Sequence, residues 1–360
     1  MHLVFVDIVY GYGADRPEAD APLGGTTSAV CFLARELVKA GHRCTFFNTI
    51  KEPQTSHGIE AQPLDRLIAV LADPDISAVI FCGRWKAEMV NVVRQATRAP
   101  LLAWMHESTF HPKLVPVADA FDGIVFVSEW QQRINQSQVP KHWKQAVLRN
   151  AMNPAAENAG DHAKASPPLL IYAGGAARGV FHLPPILEKL GQLQKNFDVE
   201  IYCNTNPSGD ATQDEKYISF LRSLPHIKHV GMVGQRKLIE RMKVASVFIS
   251  PNPWPETSCI ALIEAMACGL SSIITNRAAL PETASGFARV IAIEDIDHPM
   301  RFDMPVPHEL FAGAVSDAMN DLGTDDDIKK RSKQVAYFNA HYQWKQRVEA
   351  WLDFVKSFTA

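Results

Sequence analysis

The stretch from Ile249 to Gly269 decides how this chain is interpreted; it reads ISPNPWPETSCIALIEAMACG. Together with the apolar residues just before it, its first residues predict a buried strand, Ala245 to Ser250. Its prolines cannot continue a strand or a helix, so Glu256 comes at the end of a stiff loop. An alanine-rich helix follows, and we expect it to end at Gly269. A strand, a loop and a helix in this order are typical of an α/β domain.

Two carboxylates flank the predicted start of this helix. Glu264 follows Glu256 after about two helical turns. Backbone amides at a helix N-terminus have no intrahelical partner and bind phosphate readily. The amides expected there are those of Thr257, Ser258 and Cys259. A carboxylate, a phosphate-binding helix start and a second carboxylate favour a site for a sugar joined to a phosphate.

The composition bounds the class of protein. The chain has 360 residues, more than one hydrophobic core usually holds, so two domains are expected. Its formal net charge is −3, without the basic excess that is usual in a nucleic-acid binder. The six cysteines are scattered with no C-x-x-C pair, which favours a reducing cytoplasm and no structural zinc.

The start of the chain and its hydropathy bear on targeting. A strand is expected to begin at Leu3, which leaves no room for the charged leader and apolar segment of a signal peptide. No apolar run reaches membrane-spanning length, so any membrane contact is expected to be peripheral. We therefore expect a cytoplasmic protein, with the inner face of the membrane as the place of any such contact.

The N-terminal half alternates short apolar strands with helical segments. This order indicates a parallel sheet covered by helices on both faces. Ligands of such sheets gather at the carboxyl ends of the strands. The predicted strands are Leu3–Val9, Cys44–Asn48, Ala78–Cys82, Leu101–Met105 and Gly123–Val127, and the first helix is Ser28–Ala40.

Gly24, Gly25 and His106 are expected at that edge of the sheet. The glycine pair allows close backbone approach and precedes a helix that can receive an anion. A simple turn before a helix cap is the alternative interpretation. His106 follows a buried strand, and a titratable side chain in that place suits substrate binding or catalysis. A core histidine bonded to a neighbouring carbonyl group is the alternative.

The second half begins after a polar, proline-bearing segment, Met152 to Pro168, which is typical of an interdomain linker. The strands predicted beyond it are Leu169–Ala173, Val199–Cys203, Lys228–Val233, Val247–Ser250, Ser272–Thr275 and Val290–Ala292. The glycine-rich turn from Gly174 carries Arg178 and can wrap a phosphate beside a fixed positive charge. A surface arginine in a mobile loop is the alternative. An apolar stripe that includes Trp351 indicates a terminal helix that docks on the fold.

Further motifs accompany the Glu256–Glu264 pair in order along the chain: Gly24-Gly25, Phe126–Trp130, Leu148–Asn150 and Tyr172–Gly179. With them, most of the chain resembles the retaining family 4 glycosyltransferases of the GT-B fold. The resemblance implies an α/β protein of two Rossmann-like doubly wound domains facing across a cleft, with a C-terminal helix crossing back to the first domain. The expected domains are 1–160 on the acceptor side and 166–338 on the donor side, followed by the helix in 339–360.

For the second domain, the resemblance implies a bound nucleotide-sugar donor. Glu256 would contact the transferred sugar and Glu264 the ribose hydroxyl groups. Ser258 and Cys259 would offer backbone amides to the diphosphate, and Arg178 would neutralise it. Many family members have an additional cation in the loop of Arg178, and this chain has none there.

For the first domain, the resemblance implies that Gly24 and Gly25 approach the diphosphate and that His106 contacts the donor sugar near the reacting carbon. His106 and Glu256 are therefore the expected catalytic residues, Glu256 as a sugar binder and electrostatic partner and not as a nucleophile. The chemistry is expected to depend on domain closure. Neither a metal nor another cofactor is expected.

The predicted function is transfer of a sugar from a nucleotide-diphosphate sugar to an acceptor hydroxyl group with retention of anomeric configuration. On family grounds, the acceptor is a glycan or lipid-linked glycan of lipopolysaccharide or other polysaccharide or glycoconjugate assembly. A nucleotide-sugar epimerase of the same fold and a non-catalytic nucleotide-sugar-binding protein are the alternatives. A nicotinamide dehydrogenase is disfavoured because neither half carries a G-x-G-x-x-G turn.

Overall fold

A computed structural model gives the fold of the chain. It describes residues 1–109, 117, 119–160, 162–175, 178–204, 215, 217, 219–221, 223–224, 226–294 and 304–358. The chain divides into two compact units. The first comprises Met1–Ala19, Leu23–Ala151 and the residues from Trp344 onward, and the second comprises Asp20–Pro22 and Met152–Gln343.

The first unit is built on an eight-stranded sheet in the order β3-β4-β2-β1-β5-β6-β7-β8. The strands are β1 (His2–Val6), β2 (Arg43–Asn48), β3 (Gln54–Ser56), β4 (Ile59–Pro63), β5 (Ile76–Cys82), β6 (Leu101–Met105), β7 (Gly123–Phe126) and β8 (Lys144–Val147). Strands β3 and β4 pair antiparallel, and the other neighbours pair parallel. The predicted parallel sheet is therefore confirmed, with an added hairpin at one edge.

The second unit contains a six-stranded parallel sheet in the order β11-β10-β9-β12-β13-β14. The strands are β9 (Leu169–Ala173), β10 (Asp198–Tyr202), β11 (Ile227–His229), β12 (Val247–Ser250), β13 (Ser271–Thr275) and β14 (Arg289–Ile291). Strands β9 and β12 lie at its centre and are buried throughout. Burial on both faces explains their unbroken apolar sequences.

Helices connect the strands of both units. They are α1 (Gly25–Lys39), α2 (Leu67–Val70), α3 (Ala87–Ala96), α4 (Glu129–Asn135), α5 (Leu183–Leu193), α6 (Gln235–Val244), α7 (Ile260–Ala267), α8 (Leu280–Ala284), α9 (His308–Asp321), α10 (Asp325–His341) and α11 (Lys345–Lys356). Gly269 ends α7 with a left-handed backbone, φ +73°, and its amide donates to the carbonyl of Met266 at 3.1 Å. The amide of Leu270 donates to Ala265 at 3.0 Å, which completes a Schellman motif. The predicted stop at Gly269 is confirmed.

The C-terminal helix α11 belongs to the first unit. The ring of Trp351 packs against Trp104 of β6, with the ring centroids 4.8 Å apart and an interplanar angle of 69°. The guanidinium group of Arg347 donates to the carbonyl oxygen of Arg149 at 2.9 Å. The apolar stripe of this helix is therefore a docking surface within the first unit, as predicted.

The segment after Ala151 corrects the predicted linker and boundaries. The linker was expected from Met152 to Pro168, but Met152, Ala156 and Ala159 are buried in a core of the second unit. The first stretch of the first unit therefore ends at Ala151 rather than at residue 160. Small alanines among polar residues have the composition of a linker, yet they bury as well as larger apolar side chains. The second unit likewise runs through α10 to Gln343, beyond the boundary expected at residue 338.

Among the described residues, none of the helices combines the length and hydrophobicity needed to cross a membrane.

Candidate functional site

Gly179 sets the position of the loop that follows β9. Its backbone is left-handed, φ +94°, and a Cβ atom there would lie 2.1 Å from the carbonyl oxygen of Pro251. No side chain fits into that space, so a glycine is required for this loop to reach the loop after β12. The hydroxyl group of Tyr172 holds the backbone of this loop, because it can donate to the carbonyl oxygens of Gly175 and Arg178, which lie at 3.3 and 3.0 Å.

This close approach brings Arg178 to Glu256. A guanidinium nitrogen of Arg178 lies 2.6 Å from a carboxylate oxygen of Glu256, and the side chains are 42% and 6% exposed. The Glu256 charge is the main cause of the raised pKa of Arg178, and it outweighs the opposing effect of burial. The sequence placed Arg178 beside a diphosphate; the structure pairs it with the carboxylate that was expected to bind the sugar.

Asn252 and Arg277 fix the loop that presents Glu256. Asn252 is buried, and its amide nitrogen lies 3.5 Å from the same Glu256 oxygen that pairs with Arg178. The backbone carbonyl oxygen of Asn252 accepts a hydrogen bond from the hydroxyl group of Thr275 at 2.6 Å. Arg277 is fully buried and donates to the carbonyl oxygen of Pro253 at 3.0 Å. Sequence reasoning missed both residues, although an Asn-Pro pair inside the proline-rich loop was a signal for Asn252.

The helix after Glu256 begins later than the sequence predicts. Cys259 is its N-cap residue and Ile260 its first helical residue, so Thr257 and Ser258 belong to the loop. The carbonyl oxygen of Cys259 already accepts from the amide of Leu262 at 3.1 Å. The expectation that these amides lie at the helix N-terminus is therefore wrong for Thr257 and Ser258 but holds for Cys259, the N-cap residue. The amides of Ile260 and Ala261 follow it as further groups without an intrahelical partner.

Glu264 is buried on α7 and accepts a hydrogen bond from the amide of Asn153 at 3.2 Å. The Asn153 side chain donates in turn to Gln235 at 3.1 Å. Burial raises the pKa of Glu264 to about 7, against the lowering effect of the Asn153 amide. Burial also raises the pKa of Cys259 to about 12, with Glu256 the next contributor and Glu264 a weaker one. The two carboxylates thus lie on either side of the start of α7, Glu256 in the loop before it and Glu264 within it.

The pH dependence of stability should report the protonation of Glu264. Its folded pKa of about 7 lies above the ordinary glutamate value of 4.5, so the folded state holds the proton to higher pH than the unfolded state. Wild-type stability should then fall as pH rises from about 4.5 through 7, by on the order of 2–3 kcal/mol relative to Glu264→Gln. Chemical denaturation of both proteins at pH 4.5, 6 and 8 measures this difference. A difference that does not change with pH would contradict it.

Gly24 and Gly25 lie where α1 begins. Gly24 is the N-cap residue, with an extended backbone, and its carbonyl oxygen accepts from the amide of Ser28 at 3.0 Å. A Cβ atom on Gly24 would meet no atom of the described residues within 4 Å. The helix expected after the glycine pair is present, but it begins at Gly25, three residues before the predicted start at Ser28. The space beside Gly24 is open to close approach. Contact with a diphosphate stays a prediction.

His106 follows β6 directly, at the carboxyl edge of the first sheet. Its ring lies against Trp104, with the centroids 4.8 Å apart and the planes tilted by 49°. Burial lowers the pKa of His106 to about 3, so the imidazole is neutral at physiological pH. A neutral imidazole can exchange hydrogen bonds with a sugar but carries no charge for a phosphate. Its role in catalysis stays a prediction.

Residues 183–297 match the family model described as Glycosyl transferases group 1. The matched segment contains Glu256, α7 and Glu264. The match lies within the second unit and supports the predicted glycosyl-transferring enzyme.

The curated relatives match this chain over less than half of their own length. The phosphatidyl-myo-inositol mannosyltransferases of Mycobacterium tuberculosis and Mycobacterium bovis are 27% identical over 163 residues, which cover 44% of this chain and 39% of theirs. The matched segment thus spans well under half the length of these relatives.

Solved structures match over the whole length. A sucrose-phosphate synthase from Thermosynechococcus elongatus aligns with a TM-score of 0.72 at 14% identity, covering 99% of each chain. A glycosyltransferase from Rickettsia africae ESF-5 aligns with a TM-score of 0.76 at 14% identity, covering 99% of this chain and 98% of its own. A trehalose-6-phosphate structure from E. coli aligns with a TM-score of 0.70 at 10% identity, covering 99% of each chain. The fold is therefore GT-B, with two Rossmann-like domains and a C-terminal helix, as predicted.

Proposed function

We propose that this protein is a glycosyltransferase that moves a sugar from a nucleoside diphosphate sugar to an acceptor hydroxyl group. One observation carries the proposal: the buried Glu256 carboxylate, held by Arg178 at 2.6 Å, stands just ahead of the start of α7. The segment that contains Glu256 and α7 matches the glycosyl transferases group 1 family. The similar E. coli structure is bound with UDP-2-fluoro glucose, which supports a nucleotide sugar as the donor.

The geometry suits the departure of a diphosphate. Its negative charge grows as the bond to the sugar breaks, and amides already aimed at it stabilise that charge without later reorganisation. The first amides of α7 are such groups. Arg178 is 42% exposed and has several N–H donors, so it can reach a diphosphate while it still donates to Glu256. We propose that the departing diphosphate then assists deprotonation of the acceptor on the same face, which retains the anomeric configuration.

The remaining roles in this proposal follow the family resemblance. Glu256 binds the transferred sugar, and Glu264 binds the ribose hydroxyl groups. Gly24 and Gly25 bind the diphosphate through their backbone. His106, neutral at physiological pH, contacts the donor sugar by hydrogen bonds and not by charge.

The acceptor in this proposal is a glycan or a lipid-linked glycan of lipopolysaccharide, other polysaccharide or glycoconjugate assembly. The curated relatives are named as mannosyltransferases of phosphatidyl-myo-inositol, and a lipopolysaccharide outer core galactosyltransferase shares the fold with a TM-score of 0.64. Both names support an acceptor of this kind. We propose a cytoplasmic enzyme that meets such acceptors at the inner face of the membrane.

A donor panel tests the proposed function. The protein is incubated with UDP-, GDP- and ADP-linked sugars, and release of the nucleoside diphosphate is measured with and without EDTA. We expect release from at least one donor, and the same rate with EDTA, because the proposed chemistry relies on α7 amides and Arg178. Thermal shift identifies the bound donor, since a ligand of the folded state raises its stability.

Three outcomes would contradict this proposal in different ways. Absence of both binding and turnover with every donor would exclude a nucleotide-sugar enzyme. An epimerised free nucleotide sugar among the products would favour the epimerase. Loss of turnover in EDTA would exclude the metal-independent mechanism while leaving sugar transfer intact.

A further inference from the structure

The loop that carries Glu256 has few hydrogen-bond donors of its own. It reads PNPWPE from Pro251 to Glu256, and every second residue is a proline, which has no backbone N–H group. All of its residues except Trp254 are buried. A buried backbone carbonyl group without a donor is costly, so the fold has to supply donors from another segment.

The loop after β13, residues 275–279, supplies such donors at alternate positions. Strands β12 and β13 are parallel neighbours, so the loops that follow them leave the same edge of the sheet side by side. The hydrogen bonds to carbonyl oxygens of the Glu256 loop are Thr275 Oγ1 to Asn252 at 2.6 Å, Arg277 Nε to Pro253 at 3.0 Å and the Ala279 amide to Glu256 at 3.0 Å. We call residues 275–279 the bracing loop, because their bonds run from Asn252 to Glu256 itself.

The bracing loop is itself anchored to the segment after β13's other neighbour, β14. The backbone amide of Asn276 donates to the carbonyl oxygen of Ile291 at 3.0 Å, and its side-chain oxygen accepts from the amide of Ile293 at 2.8 Å. The backbone of Ala278 is left-handed, φ +54°, which is uncommon for a residue with a side chain. Such a conformation persists only where the surrounding contacts impose it, and it occurs mainly at functional sites. The bracing loop is therefore a rigid support for the Glu256 loop.

Thr275 and Arg277 provide the side chains of this support. Both are fully buried, and a buried guanidinium group carries a large desolvation cost. A group that contacts a reacting sugar must be held within about 0.5 Å of its working position, and a displacement of about 1 Å can lower a rate about 10²-fold. We propose that Thr275 and Arg277 are positioning residues for the Glu256 carboxylate, through the backbone carbonyl groups of Asn252 and Pro253. This assignment rests on the proposed function and adds to it the residues that set where Glu256 meets the sugar.

Thr275→Val tests the role of the hydroxyl group. The substitution preserves the shape of the side chain and leaves the Asn252 carbonyl group without this donor. With the active nucleotide sugar, we expect kcat to fall about tenfold and KM to stay within about twofold of wild type, because the nucleoside diphosphate is bound by other groups. Thr275→Ser keeps the hydroxyl group and should restore kcat. Arg277→Met should lower kcat at least as much, but a change at a buried arginine can prevent folding, so the result for Thr275→Val is decisive.

A double-mutant cycle shows whether Thr275 acts through Glu256. If it does, adding Thr275→Val to Glu256→Ala should not lower kcat any further. Thr45→Val is the matched control, because Thr45 is buried in the first unit and its hydroxyl oxygen lies 3.0 Å from a ring nitrogen of His2. This control removes a comparable buried hydrogen bond, so it should lower Tm as Thr275→Val does and leave kcat at the wild-type value.

Hydrogen–deuterium exchange tests the bracing loop without any nucleotide sugar. The amides of residues 252–258 should exchange about fivefold faster in Thr275→Val than in the wild type, and at the wild-type rate in Thr45→Val. Unchanged exchange or unchanged kcat in Thr275→Val would overturn the positioning role. A loss of kcat that persists in full in the Glu256→Ala background would overturn it too. Faster exchange in Thr275→Val, when the wild type turns over no nucleotide sugar, would support the bracing loop and overturn the proposed function.

Discussion

Replacing Glu256 by alanine is expected to lower kcat for sugar transfer by about 10²- to 10³-fold while the protein stays folded. The carboxylate is 6% exposed and is the main charge acting on Arg178, so the substitution removes the group that fixes the guanidinium. Arg178 itself is 42% exposed and can be solvated once it is released. The loss of stability should therefore be roughly 1 kcal/mol. Steady-state kinetics with the active donor, together with chemical denaturation, measure the two effects.

The second unit offers a matched control for Glu256. Glu200 of β10 pairs with Arg241 at 2.9 Å, and the two side chains are 13% and 41% exposed, close to the values of the Glu256 pair. Glu200→Ala therefore removes a comparable ion pair without touching the candidate site. Glu200→Ala should lower the free energy of unfolding by about as much as Glu256→Ala does, and it should leave kcat close to the wild-type value. A kcat for Glu256→Ala within tenfold of wild type, or an equal loss in Glu200→Ala, would exclude the assigned role.

The strands that could be predicted from the sequence are those that are buried, because burial on both faces requires an unbroken apolar run. Strands β6 and β9 are buried throughout, and their bounds, Leu101–Met105 and Leu169–Ala173, are those predicted from unbroken apolar runs. Strands β3 and β8 are partly exposed and polar, and the sequence did not indicate them. The segment after Ala151 was wrongly predicted as a linker, because its composition is that of a linker although its small alanines are buried.

The candidate site could be predicted only where its parts are close in sequence. Glu256, the loop before it and α7 are consecutive, and their order follows from proline and glycine chemistry. The partners of the carboxylates come from distant segments: Arg178 reaches Glu256, and Asn153 reaches Glu264. The contact between Arg178 and Glu256 depends on how strands β9 and β12 are placed side by side, which no local pattern specifies. The resemblance supplied roles for Arg178 and Glu264, but not these contacts.

Replacing Gly179 by alanine is expected to lower the free energy of unfolding by roughly 3 kcal/mol and to abolish nucleoside diphosphate binding. The new Cβ atom would lie 2.1 Å from the carbonyl oxygen of Pro251 and 2.6 Å from its carbonyl carbon, and both belong to backbone that cannot turn aside as a side chain can. The left-handed φ of +94° adds strain for any residue with a side chain. If the loop relieves the clash by moving, it carries Arg178 away from Glu256.

Gly175→Ala is the control in the same loop, since a Cβ atom there would meet no described atom within 4 Å and should change neither quantity. Chemical denaturation gives the stability of each variant, and calorimetry with UDP, GDP or ADP, whichever the wild type binds, gives the affinity. A Gly179→Ala protein with wild-type stability and affinity would show that the close contact with Pro251 is dispensable.

Glu256→Ala and Gly179→Ala should impair the protein in different ways. Glu256→Ala removes a functional group from a site whose backbone is unchanged, whereas Gly179→Ala disrupts the backbone contact that forms the site. The free energy of unfolding, measured together with affinity, distinguishes them, because it should fall by roughly 3 kcal/mol in Gly179→Ala and by roughly 1 kcal/mol in Glu256→Ala.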